Sequence, residues 1–154
     1  RQSLSNPYTG VAAIFMSRIK NNKPPVIYED GLQTRDFVSV HDVAEANLQA
    51  MKLNKPNYEA INIGSGKTIT IKQIAEITAE LYNSKLKPEI QNKFRKGDVR
   101  HCFADISKAE DKLEWTPKIS FREGMKEIIE WGKTVKAEDL FDKASKELKE
   151  KGLI

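Results

Sequence analysis

The period of the apolar positions changes along the chain, and each change marks an element. Val11, Ile14, Phe15 and Ile19 fall at helical spacing with Arg18 and Lys20 off that stripe, which predicts an amphipathic helix over residues 11–20. Asn21-Asn22-Lys23-Pro24-Pro25 stops it, because proline lacks an amide donor and biases the residue before it away from helical dihedrals. Val26-Ile27-Tyr28 reads as a short strand closed by the turn Glu29-Asp30-Gly31, and residues 36–40 read as a second strand. Asp42 is placed to complement the N-terminal dipole of a helix running to about Lys52. Residues 59–63 alternate as a strand and break at Gly64-Ser65-Gly66.

Thr70 and Gln73 have capping-box spacing ahead of a helix whose apolar face is Ile71, Ile74, Ala75, Ile77, Thr78 and Leu81. Residues 87–91 and 101–104 read as further strands, the second followed by Asp105 as the N-cap of a helix carrying Ala109 and Leu113. Ser120 and Glu123 repeat the capping box for a helix bearing Met125, Ile128, Ile129 and Trp131. A charged helix over about 138–151, with Leu140, Phe141, Ala144 and Leu148 inward, ends at Gly152. Strands and helices alternate without an internal repeat, which is the α/β pattern. The strands are few and short, so the sheet is expected to belong to a larger system. Residues 1–133 read as one portion and 134–154 as a charged helix appended to it.

Composition narrows the class. With 39% apolar and 31% charged residues the chain reads as a soluble globular protein, and no apolar run approaches the roughly 20 residues of a membrane span. It opens Arg1-Gln2-Ser3-Leu4 without Met and without a signal-like apolar stretch, so a fragment of a longer polypeptide is expected. The single cysteine, Cys102, rules out an internal disulfide and a cysteine-cluster zinc site, and suits the cytoplasm. Net charge is +4, from 26 Lys+Arg against 22 Asp+Glu. An excess that small suits an anionic small ligand and not nucleic acid, which calls for clustered cations.

Three clusters carry candidate chemistry. Gly64-Ser65-Gly66-Lys67-Thr68 resembles the end of a phosphate-cradling P-loop, but Ile61 stands where that motif needs its first glycine. The capping box at Thr70 also starts the helix too late for Lys67-Thr68 to open it. A tight strand-to-helix turn is the better reading. Arg35 stands at the mouth of a strand, where a guanidinium can fork onto phosphate oxygens; by residue type alone a surface arginine is favoured. Arg95-Lys96-Gly97-Asp98-Val99-Arg100 sets three cations and a carboxylate around a glycine, which suits a phosphate-plus-sugar ligand, with a solvated loop as the bland alternative. His41 and His101 lack partners at metal-ligand spacing and read as a cap or strand-edge residues, and Cys102 reads as a small buried hydrophobe.

Taken in order, these segments are more specific than any one of them. Asn6-Pro7-Tyr8, residues 25–31, residues 35–44, Ile61-Asn62-Ile63-Gly64-Ser65-Gly66, Arg95-Lys96-Gly97-Asp98, residues 104–109 and Leu113-Glu114-Trp115-Thr116-Pro117 follow one another. The series resembles the C-terminal half of the nucleotide-sugar epimerases and dehydratases of the extended short-chain dehydrogenase/reductase family, nearest the UDP-glucose 4-epimerase-like branch. It extends to about Lys133. The fold the resemblance implies is the C-terminal substrate-binding portion of an extended Rossmann-type enzyme, α/β, with the main dinucleotide-binding half absent.

The resemblance also implies roles. Arg35 and Arg95 would grip the nucleotide diphosphate and Asp98 the ribose. The backbone of Val26 to Tyr28 would lie along the uracil, and Asn6 to Val11 would line the sugar side. NAD is the implied cofactor, bound mainly by the missing half; a UDP-sugar is the implied ligand, and a homodimer the implied state of the full-length enzyme, with no nucleic acid or membrane partner. The family's catalytic Tyr-x-x-x-Lys is not met by Tyr8, Tyr28, Tyr58 or Tyr82, none of which has Lys four residues on. The chain alone is therefore expected to be inactive. A 4,6-dehydratase or decarboxylase of the same family, a non-catalytic nucleotide-sugar-binding protein and a P-loop hydrolase remain the alternatives.

Overall fold

The computed structural model describes residues 1–6, 8–53 and 58–154, so Pro7 of the Asn6-Pro7-Tyr8 motif lies outside the described residues. The elements run α1 (Val11–Lys20), β1 (Val26–Ile27), β2 (Thr34–Arg35), α2 (Val40–Met51), β3 (Ile69–Thr70), α3 (Ile71–Leu81), β4 (Glu89–Ile90), α4 (Ser107–Leu113), α5 (Phe121–Thr134) and α6 (Phe141–Glu150). This is the expected α/β alternation. The chain divides into two compact units, one of Arg1–Gln33, Thr70–Arg100 and Met125–Ile154, the other of Thr34–Ile69 and His101–Gly124. Among the described residues no helix is long and apolar enough to cross a membrane.

In the first unit β1 pairs in parallel with β4, Val26 opposite Glu89 and Ile27 opposite Ile90, and α1 packs on α3. Phe15, Met16, Ile27, Ile74 and Ile129 are fully buried, so the helical spacing of α1, α3 and α5 delivers their apolar faces to the interior. The capping box of α3 is complete: Thr70 Oγ1 accepts from Gln73 N at 3.1 Å and Gln73 Oε1 accepts from Thr70 N at 3.0 Å. One expectation for α1 is corrected. Arg18, read as lying off the apolar stripe, is buried. Its guanidinium is 3.3 Å from the Asp139 carboxylate, 4.7 Å from the centre of the Phe141 ring, and its Nε donates to the Pro24 carbonyl at 2.6 Å. A charge is tolerated inside because these partners replace water. Lys20 also turns inward, donating to the carbonyls of Gly132 and Val135 at the end of α5.

In the second unit β2 pairs with β3, and Thr34 forms a parallel bridge with His101. Ala46, Ala109, Leu113 and Trp115 make its core, with Val38, Ile61 and Ile63 packed against them. Three expected strands are shorter than expected or absent. Pairing stops at Arg35 instead of running over 36–40, 59–63 carries no ladder, and 101–104 contributes the His101 bridge alone. The cause is Asp36. Its carboxylate takes the amides of Ser65, Gly66 and Ala104 at 2.8, 3.1 and 3.2 Å, so a side chain binds the backbone where a neighbouring strand would. Ile61 and Ile63 still point inward, which is why the alternation read as a strand.

Helix starts also shift. Ser39 caps α2, its hydroxyl accepting from His41 N at 3.2 Å. Asp42 stands in the first turn of α2 as expected, and it is also buried and joins distant backbone: its oxygens accept from Lys118 N at 3.1 Å and Ile119 N at 3.0 Å. Ile106 occupies the N-cap of α4, while Asp105 accepts from Ser107 N at 3.0 Å from one position earlier. Ser120 and Glu123 form their expected reciprocal pair at 2.9 and 3.3 Å.

Candidate functional site

Arg35 and Asp36 leave β2 side by side with opposite tasks. Asp36 turns into the protein. Ser65 donates to it twice, from N at 2.8 Å and from Oγ at 2.5 Å. Burial pushes the Asp36 carboxyl up, and the hydrogen bonds from Ser65, Ala104 and Gly66 outweigh it, so it titrates below the usual carboxylate range. Gly64 lies so close that a Cβ there would stand 2.5 Å from Ala104 Cβ and 2.7 Å from Asp36 Oδ2. Gly66 adopts φ +66°, a conformation that suits glycine and lets the turn close. The Ser65 and Gly66 amides therefore serve an internal carboxylate. The turn is a tight turn and not a phosphate cradle, although no strand over 59–63 leads into it and β3 separates it from α3.

Arg35 lines an open groove of about 350 Å³ together with Asn62, Gly64, Cys102 and Phe103. Its Nη1 donates to the Thr34 carbonyl at 2.8 Å, which fixes the direction in which the guanidinium leaves the strand. Cys102 is exposed at this groove, against the expectation of a buried hydrophobe. The expected strand around it does not continue past His101, so among the described residues no neighbouring strand covers it. His101 shares a hydrogen bond of 2.9 Å with Thr34 Oγ1, and His41 is exposed on α2.

Asn6, Val26, Tyr28, Arg95 and Asp98 all fall in the first unit, and Arg35 in the second. Asn6 Oδ1 accepts from Tyr8 N at 2.9 Å, an Asx turn that shapes the loop entering α1. Val26 is buried and Tyr28 half-buried, with the Tyr28 carbonyl accepting from Gln33 Nε2 at 2.9 Å. Arg95 and Asp98 stand 3.8 Å apart with side chains 47% and 40% exposed. Gly97 between them takes φ +88°, with open space where a Cβ would be. This turn offers a forked cation and an acceptor together, the pair that suits a phosphate beside hydroxyl groups.

Arg100, third cation of the same cluster, is used internally. It bonds Glu29 Oε2 at 2.7 Å and Asp30 Oδ2 at 2.8 Å, and its guanidinium holds the Asp30 carboxyl below the usual range. It thereby ties the turn after β1 to the loop carrying Arg95. Its sequence signal was the Glu29-Asp30 pair, but the pairing spans 70 and 71 residues and no local rule connects them. Tyr82 is a further buried polar group, its hydroxyl without a hydrogen-bond partner among the described residues and its pKa pushed up to about 12 by burial.

Residues 5–128 match the family described as GDP-mannose 4,6 dehydratase. A dTDP-L-rhamnose 4-epimerase from Burkholderia thailandensis is 38% identical over 130 residues, which cover 84% of this chain and 36% of that protein. The structure is similar to that of a UDP-glucose 4-epimerase with UDP-glucose from Thermotoga maritima, at TM-score 0.74 and 38% identity, covering 84% of this chain and 41% of the other. It is also similar to a UDP-glucuronic acid 4-epimerase from Bacillus cereus in complex with UDP-glucuronic acid and NAD, at TM-score 0.74 and 26% identity, covering 83% and 40%. The chain thus spans 36% to 41% of the length of these relatives.

Proposed function

The chain belongs to the GDP-mannose 4,6-dehydratase family, and from that premise we propose that it supplies the nucleotide-sugar-binding part of an NAD-dependent 4-epimerase-type enzyme acting on a UDP-hexose. The observation that carries this reading is the Arg95–Asp98 pair, a guanidinium and a carboxylate 3.8 Å apart, half exposed on a glycine turn. Arg35 and Arg95 grip the diphosphate, Asp98 accepts from the ribose, the Val26–Tyr28 backbone follows the base, and Asn6 faces the sugar. These are holding contacts. Their contribution to rate is orientation of the sugar against the group that oxidises it.

NAD, when bound, accepts and returns the hydride that inverts a sugar carbon. The Gly64-Ser65-Gly66 turn ahead of α3 does not fit its pyrophosphate: the Ser65 and Gly66 amides are turned onto Asp36. No step is therefore assigned to these residues through the cofactor, which is held elsewhere in the enzyme. A 4,6-dehydratase reaction on the same bound sugar is the second reading, favoured by the description of the matching family.

Calorimetric titration with UDP tests the binding role. Arg35→Ala and Arg95→Ala should each weaken affinity roughly ten- to a hundredfold, the worth of a charge-assisted contact of about 1.5–3 kcal/mol. Arg35→Lys should recover only part, since an ammonium cannot fork. Unchanged affinity in both alanine variants removes these residues from the site. The chain incubated with UDP-glucose and NAD should yield no UDP-galactose by chromatography, because it carries no Tyr-x-x-x-Lys base. Turnover by the chain alone overturns that part of the reading.

A further inference from the structure

The segment over 138–153 touches each of the three stretches of the first unit assigned above to the ligand. Tyr8, in the loop after Asn6, donates its phenol proton to the Glu147 carboxylate. Tyr28, at the end of β1, donates to Ser145 Oγ at 3.4 Å, and its ring centre lies 6.0 Å from that of Phe141 with the planes at 31°. Lys96, between Arg95 and Asp98, donates from its backbone N to the Leu153 carbonyl at 2.9 Å. The match to the family stops at residue 128, so this segment lies beyond it.

The start of the segment is also anchored to α1 and to the residue before Asn6. Glu138 N donates to Ser5 Oγ at 3.1 Å. The buried Asp139 carboxylate sits 3.3 Å from Arg18 and 2.8 Å from Lys23, both borne on or just after α1. Arg18 in turn lies against the Phe141 ring. One end of α6 is thus pinned to the body of the unit, while its exposed and half-buried side chains reach out to the ligand stretches.

We propose that α6 and the turn after it are the positioning element of the nucleotide site, with Phe141, Ser145 and Glu147 holding the sugar-side loop and the base-side strand in their binding arrangement before the ligand arrives. This rests on the nucleotide-sugar reading of Asn6, Tyr28, Arg95 and Asp98. The physical basis is preorganisation: a stretch already ordered by the protein is not ordered at the expense of binding. Phe141 backs Tyr28, so it governs the base side. Glu147 holds Tyr8, so it governs the sugar-side loop.

The test titrates the full chain with UDP and with GDP in Phe141→Leu, Glu147→Ala and Arg95→Ala, with thermal melting of each. Phe141→Leu and Glu147→Ala should each weaken UDP binding by roughly three- to tenfold, the scale of one rotamer-rich side chain left to be ordered on binding. Phe141→Leu should also change the ratio of UDP to GDP affinity, and Phe141→Tyr, which keeps the ring, should restore it. Arg95→Ala should lower both affinities together and leave the ratio alone. Wild-type affinity and ratio in both helix variants overturn the role of α6, as does a parallel loss of UDP and GDP binding that merely tracks a fall in melting temperature. Tighter binding in either helix variant overturns it too, since α6 would then obstruct the site. Wild-type binding in Arg95→Ala instead sinks the nucleotide assignment of Arg95, so the two readings fail separately.

Discussion

Asp36 Oδ1 accepts from Ser65 N at 2.8 Å, and that bond decides how the glycine turn of this protein is used. The same carboxylate also receives the Ser65 hydroxyl and the amides of Gly66 and Ala104. Lys67, which looks like a phosphate-binding lysine in the sequence, follows a turn whose donors are already engaged. Lys67→Ala should therefore leave UDP affinity unchanged in a titration. Asp36→Ala should lower stability by about 3 kcal/mol, read from the urea midpoint, because several amides lose a charged acceptor at once.

Acid should expose the same carboxylate. Its folded pKa lies below the unfolded value, so the stability it contributes is complete above the unfolded pKa and is lost as pH falls through the folded one. Urea unfolding of wild type and Asp36→Asn should therefore differ most near neutral pH. The gap should close below about pH 4, where the unfolded carboxyl protonates. A gap that is constant from pH 7 to pH 3 contradicts an ionised Asp36.

Gly64→Ala should destabilise by about 1–3 kcal/mol, the usual cost of overpacking, since the new Cβ meets Ala104 Cβ at 2.5 Å and Asp36 Oδ2 at 2.7 Å. Adding Ala104→Gly removes one of the two clashes. The double variant should then be more stable than the sum of the single effects allows, a coupling measurable in a double-mutant cycle.

Asp139 separates a buried ion pair from an exposed one on a single carboxylate. Arg18 is 7% exposed in its side chain and Lys23 is 43% exposed. Asp139→Ala leaves the Arg18 guanidinium buried with a weaker set of partners and should cost about 3–5 kcal/mol. Lys23→Met removes a solvated partner and should cost far less. Equal losses in denaturant midpoint would show that burial does not govern this cluster.

The local rules of the chain were enough for the existence of its helices and for two of their starts. Thr70 with Gln73 and Ser120 with Glu123 announced helix starts because a capping box is made within four residues, and Gly152, at φ +65°, ends the last helix as its type implied. The ordered motifs also carried the family, because each is a short run of residue types. What the sequence could not decide is which distant partner each group meets. Residues 36–40 and 59–63 have the alternation of strands, yet a ladder exists only where a second backbone pairs, and beside them the Asp36 carboxylate binds the amides of Ser65, Gly66 and Ala104. Asp42 stands in the first turn of α2 as its spacing implied, but only the fold brings Lys118 and Ile119 to it. Arg18 reads as a surface charge until Asp139 and Phe141 arrive beside it, and Cys102 reads as core until the strand meant to bury it ends. Contacts within a helical turn are fixed by residue spacing alone, whereas burial and long-range pairing depend on chain segments that only tertiary folding brings together.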